Sequence, residues 1–293
     1  MNMVKTDSEF ARTLDRLVEI SVDTYYNPYT AFRWDDVSDE RWWMPADLLT
    51  VYGTRFMQEF DESQLMRLSK WESINFYSLN IHGIRELLIE VTKRIHSPGF
   101  ESPSEFFHHF IGEENEHMWF FAKFCLKYGS KVYPDKSIKI SAGEMEPDVE
   151  TFLVFARILI FEEIVDYFNV RIGKDESLHP VIRQVNNVHH QDESRHIAFG
   201  RQIVKQLHQR LTENYDSTRL LELGSYLKRY IETSLQSFYN PAAYRDAGIA
   251  EPYKLRSELL KEPGRKLQHE KIMNRTTDFL ARSGIISQES FLS

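Results

Sequence analysis

The segment His189-His190-Gln191-Asp192-Glu193-Ser194-Arg195-His196 places an imidazole, a carboxylate and a second imidazole at positions 189, 193 and 196. On a helix, residues at i, i+4 and i+7 lie one above another on one face. Neutral nitrogen donors beside an anionic oxygen suit a divalent transition metal. A second Glu-x-x-His, Glu114 and His117, lies upstream. Two such motifs, each on a helix paired with one that supplies a lone glutamate, make a carboxylate-bridged dinuclear metal site inside a four-helix bundle. One Glu-x-x-His is common on solvated helices, whereas two with matched upstream glutamates are far more specific.

The spacing tests this reading. Glu162 lies 31 residues before Glu193, with a single turn region, 173–177, between them. Phe161-Glu162-Glu163 sits in the most apolar helical stretch, where an unpaired carboxylate is costly to bury. One of the two neighbours should point inward. Glu162 is assigned to the metal and Glu163 to solvent or to a supporting position. Asp166, one turn on, is either a hydrogen-bond partner behind a ligand histidine or a surface residue. In the first half, Glu113 and Glu116 compete with Glu114, and Glu114 alone keeps the i, i+3 spacing to His117. The lone glutamate there is open among Glu72, Glu86 and Glu90. Counting residues on either side of a turn at 96–104 favours Glu86, with Glu72 several turns too deep and Glu90 one turn too shallow. His82 is an outside ligand candidate or a supporting partner, and Asp192 is a further supporting candidate. His108, His109, His179 and His190 read as surface or packing residues.

The elements that must carry these residues are helical almost throughout. Apolar periodicity and the punctuation of sparse Gly and Pro predict helices over about 8–25, 61–96, 102–129, 148–172, 180–211, 218–238, 253–261 and 264–282. Asp61 reads as an N-cap, and Pro103 and Pro180 as first-turn prolines. Residues 27–45 are irregular and rich in tryptophan, and 130–147 form a loop with weak strand-like alternation at Ile138 and Ile140. The expectation is one all-α domain over 1–293. Its ferritin-like four-helix core spans about 60–212, and C-terminal helices 213–293 pack on that core.

Composition narrows the class. Of 293 residues, 42% are apolar and 27% charged, enough for a sizeable core. A net charge of −8 argues against nucleic-acid or anionic-membrane partners. The 20 Phe, 14 Tyr and 5 Trp suit a dry core or an apolar pocket. Cys125 is the only cysteine, so no internal disulfide forms, which fits a reducing cytosol. The polar N-terminus does not read as a secretory signal. The stretch 151–164 is too short and too charged to span a bilayer. A cytoplasmic enzyme is expected.

In His189-x-x-Asp192-Glu193-x-x-His196, with Glu114-x-x-His117 and Glu162, the chain resembles the non-haem diiron arylamine N-oxygenases, whose type is p-aminobenzoate N-oxygenase. The resemblance covers roughly residues 60–210. The histidine four residues before the second motif's glutamate is its most specific element. It implies seven ligands to two irons: Glu86, Glu114, His117, Glu162, His189, Glu193 and His196, with Glu86 resting on the loosest part of the match. It also implies O₂ as co-substrate, a peroxo-diiron(III) intermediate, oxygen transfer to an amine nitrogen in secondary metabolism, an external electron donor and a homodimer. Ligand type alone fits a manganese–iron pair as well. Phe121 or Phe155 could line an aromatic substrate pocket. Competing classes are a diiron hydroxylase or desaturase, a non-catalytic iron-binding protein of ferritin-like fold, and a metal-free helical interaction protein.

Overall fold

The computed structural model describes residues 8–135 and 145–287. Eleven α-helices run through these residues and no strand does. The expected alternation at Ile138 and Ile140 falls outside the described residues.

Four long helices make the core: α4 (Glu62–Thr92), α5 (Ser104–Gly129), α6 (Pro147–Lys174) and α7 (Pro180–Asn214). Each starts where the sequence offers a start. Asp61 caps α4 in a reciprocal box: its carboxylate accepts from the Gln64 N–H at 2.8 Å, while the Gln64 side chain accepts from the Asp61 N–H at 2.9 Å. Pro147 and Pro180 occupy first-turn positions of α6 and α7. Ser130 closes α5 in a left-handed conformation, φ +54°.

The helices pair antiparallel, α4 with α5 and α6 with α7. Tyr77 stacks on Phe121 at 5.1 Å and meets Phe124 at 4.4 Å, while Ser78 reaches Cys125. Across the other pair, Asn169 meets His189 and Glu163 meets Arg201. α6 is buried on nearly every side, which explains why its sequence is apolar all round rather than striped. Its buried carboxylates, Glu162, Glu163 and Asp166, therefore have little solvent to relax into.

The flanking elements lie where apolar surface remains. α1 (Ser8–Asp23) packs on α5 and α7, α2 (Pro28–Ala31) on α5, and α8 (Ser217–Ser237) on α6 and α7. A short 3₁₀ turn, Ala46–Leu48, and α3 (Phe56–Glu59) lead into α4. α9 (Pro241–Asp246) covers α4, α10 (Pro252–Leu259) follows it, and α11 (Pro263–Arg282) covers α6. At the start of α11, Gly264 meets Gly53 backbone to backbone, with no room for a Cβ on Gly264. Arg265 then donates to the carbonyls of Leu49 and Tyr52 at 3.1 and 2.9 Å. No helix among the described residues is long and apolar enough to cross a membrane.

Candidate metal centre

Six of the seven expected ligands converge. α5 supplies Glu114 and His117, α6 supplies Glu162, and α7 supplies His189, Glu193 and His196; all are buried. They form two groups whose donor atoms lie within 4.8 Å of one another: His117, His189 and Glu193, and Glu114, Glu162, Glu193 and His196. Glu193 belongs to both. His189 Nε2 lies 2.6 Å from Glu193 Oε1, and His196 Nδ1 lies 2.8 Å from Glu114 Oε1. His117 Nδ1 stands 3.4 Å from Glu114 and 3.7 Å from Glu193.

Whether these residues fit a metal pair can be tested on their hydrogen bonds. Both oxygens of Glu114 and of Glu193, one oxygen of Glu162, Nδ1 of His117, Nε2 of His189 and Nδ1 of His196 are buried without a hydrogen-bond partner. Native proteins leave few such atoms, and each asks for a reason. A convergent set of anionic oxygens and imidazole nitrogens has an obvious one, a pair of cations. The donor set fits.

The opposite nitrogen of each imidazole is held from behind. His117 donates from Nε2 to Asp192 at 2.9 Å, and His196 from Nε2 to Glu113 at 2.8 Å. The Asn169 side-chain nitrogen lies 2.7 Å from Nδ1 of His189. Each ring is thus held at one nitrogen and turns the other inward, the arrangement that orients metal-binding histidines. Arg195, also buried, donates to Glu113 at 2.7 Å and to Asp192 at 2.6 Å. One guanidinium thus joins the two supporting carboxylates. Thr24 and Tyr26, just beyond α1, reach the same network: Arg195 donates to the Thr24 hydroxyl, and the Tyr26 hydroxyl donates to Asp192 at 3.3 Å.

Electrostatics report the same excess of negative charge. Burial raises the Glu114 carboxyl, but His117 and His196 override it and hold it down to about 2. Burial lowers His117, yet Glu114 and Asp192 lift it to about 10. Burial and the neighbouring Glu114 push Glu193 up. Burial and the His117 charge keep His189 well below the usual imidazole range, so it stays neutral. The cluster draws in positive charge.

Other expected residues lie elsewhere. Glu86 is not in the cluster: it is exposed on α4. The inward stripe of α4 at this depth is Tyr77, Asn80, Ile84 and Leu87, and two residues past Ile84 is some 200° around the helix. The depth count also presumed a helix running to His96. α4 ends at Thr92, and His96 sits in the turn with φ +52°. Glu90 pairs with Lys93 and Arg94 at 2.6 and 2.8 Å. Glu72 is buried far down the bundle, where it accepts from Thr50. His82 binds the Tyr133 carbonyl at 2.7 Å and supports no ligand. Asp166 binds His190 at 2.5 Å, not a ligand histidine. Glu163 is buried rather than solvated, and is held by Arg201 at 2.8 and 2.9 Å. Asp192 alone of the supporting candidates touches a ligand.

Sequence reasoning missed Glu113, Asn169 and Arg195 as supports. Glu113 had been weighed only as a rival ligand. Arg195 carried a usable signal, since a buried arginine three residues after Asp192 must face it on a helix.

A cleft of about 620 Å³ lies between α4, α6 and α8, and none of the six converging residues lines it. Phe161, Tyr226, Tyr230 and Phe238 form aromatic walls, and Glu86 and Arg157 lie at polar points. Gly83 lets the Phe161 ring lie against α4; a Cβ there would collide with it. Phe161 precedes Glu162 on α6, and successive helical residues point about 100° apart. Neither Phe121 nor Phe155 lines this cleft: Phe121 packs edge-on against His189 at 4.8 Å, and Phe155 packs among Phe100, Phe107 and Phe199.

The family described as P-aminobenzoate N-oxygenase AurF, a diiron ferritin-like N-oxygenase family, matches residues 7–284. Uncharacterized protein Mb0909 of Mycobacterium bovis and Uncharacterized protein Rv0885 of Mycobacterium tuberculosis are each 22% identical over 276 residues, covering 88% of this chain and 77% of their own length. Uncharacterized protein MT0908 of Mycobacterium tuberculosis is 24% identical over 226 residues, covering 71% of this chain and 64% of its own.

Proposed function

The chain belongs to the p-aminobenzoate N-oxygenase family, and from that premise we propose that it is an O₂-dependent diiron monooxygenase acting on the nitrogen of an aromatic amine. One oxygen atom would enter the N–H bond to give a hydroxylamine. The other would leave as water, with two electrons and two protons drawn from an external donor. The unpartnered inward donor atoms of Glu114, His117, Glu162, His189, Glu193 and His196 carry this reading.

The two irons supply O₂ activation, chemistry that no side chain offers. The chain's own groups do the rest. Glu193, shared by both donor groups, would be a ligand to both cations. Asp192, Glu113 and Asn169 fix the ring orientations of the three imidazoles. Phe110, Phe120 and Phe121 lie 4.3 to 5.4 Å from the ligand rings and keep bulk water away. The aromatic cleft lined by Phe161 would receive the planar amine, its volume lying within the usual range for small-molecule sites. A reductant protein, a cytoplasmic setting, a homodimer and a place in secondary metabolism follow from the same family reading.

The test begins with metal analysis of the purified protein, for which about two irons per chain are expected. The iron(II) form is then exposed to O₂ with a panel of arylamines. Nitrogen-oxygenated product supports the proposal. Product oxygenated or desaturated at carbon replaces it with a hydroxylase or desaturase. Protein that takes up iron but consumes no O₂ with any amine is left as an iron-binding protein.

A further inference from the structure

The two halves of the centre are not equivalent. A symmetric site of this kind takes one lone glutamate from each of two helices. Here α6 provides Glu162, whereas α4 provides nothing anionic. The depth of the centre on α4 follows from contacts already described. Tyr77 faces Phe121 and Phe124, so one to two turns back along α5, at His117 and Glu114, must face one to two turns on along α4. Gly83 lies against Phe161, the residue before Glu162, and fixes the same level independently. The buried α4 side chains there are Asn80, Ile84 and Leu87.

Charge follows. The group Glu114, Glu162, Glu193 and His196 holds three carboxylates, whereas His117, His189 and Glu193 hold one, and that one is shared. Affinity for a divalent cation at oxygen-rich sites rises with the number of anionic ligands.

We infer that the centre loads in sequence: one cation is bound tightly among Glu114, Glu162, Glu193 and His196, and the second, at His117 and His189, is held at least about tenfold more weakly because α4 sends no carboxylate to it. The inference rests on the two-cation reading above. It assigns the asymmetry to α4, where Asn80, its side-chain oxygen buried and without a hydrogen-bond partner, stands in the stripe that would carry a carboxylate.

The experiment is a titration of the metal-free full chain with cobalt(II), followed by calorimetry and by the visible absorption of bound cobalt. Two steps separated by about tenfold or more are expected. Asn80→Asp should strengthen the second step by a similar factor and leave the first in place, while Glu162→Gln should weaken the first. Should Asn80→Asp fail to fold, the wild-type titration and Glu162→Gln still decide. Two cations bound with equal affinity overturn the inference and leave the two-cation reading intact. An Asn80→Asp chain that folds but keeps the wild-type second step also overturns it. No cobalt uptake overturns the two-cation reading itself.

Discussion

His117 donates to Asp192 across 2.9 Å, joining α5 to α7 behind the metal-facing edge of the ring. The contact decides which nitrogen of His117 faces the centre. Asp192→Asn removes the anion that makes the ring a strong donor, and loosens Arg195. Metal affinity is expected to fall about 10- to 100-fold, read by competition with a chelator. Unchanged affinity would show that the ring is positioned by packing alone.

Arg195 compensates two buried carboxylates at once. Arg195→Met leaves Glu113 and Asp192 without their shared cation, a loss of about 3–5 kcal/mol when one partner of a buried pair is removed. The thermal midpoint should drop on the order of 10 °C. A midpoint within a degree of wild type refutes this role.

Glu72 gives the fold a pH dependence remote from the centre. Burial raises its carboxyl from 4.5 to about 7, against the hydrogen bonds from Thr50. The folded chain therefore holds this proton over a range in which the unfolded chain has lost it. The contribution of Glu72 to stability is fully present below about 4.5, falls as pH rises and is lost above about 7, a change of about 3 kcal/mol. Glu72→Gln removes that slope. Denaturant titrations of both chains at pH 5 and pH 8 test it, and parallel behaviour of the two chains refutes it.

Gly83 is the closest approach of α4 to the cleft wall. Gly83→Ala drives a Cβ into the Phe161 ring. Overpacking should cost about 1–3 kcal/mol, and the displaced ring narrows the cleft. Once an amine substrate is known, KM is expected to rise more than kcat falls. A stable variant with unaltered KM would place substrate binding elsewhere.

The centre was legible where helix geometry alone determines facing. Glu114 with His117, and His189 with Glu193 and His196, lie on single helices, so their spacing fixes one shared face. Glu162 was legible for another reason, because a carboxylate in an apolar helix has few alternatives. Glu86 failed because its placement needed the length of a turn and the rotation of a separate helix. Neither is written in local periodicity: α4 stops four residues early, and its turn carries a left-handed His96. Supports such as Asn169 and Glu113 are set by which helices become neighbours, knowledge that arrives only with the fold. Helix extents were read well for the same reason as the motifs, since caps and prolines act within a few residues.

Gly53 and Gly264 meet across 211 positions of chain, where Gly264 has no space for a side chain and Gly53 takes a left-handed φ of +73°. Closing so long a loop costs entropy that only the finished interface repays. Docking of α11 is thus expected late in folding, after the four-helix bundle has formed. A lesion at this far seam would be felt as slow maturation and loss of soluble protein, while those molecules that did mature would keep an intact centre.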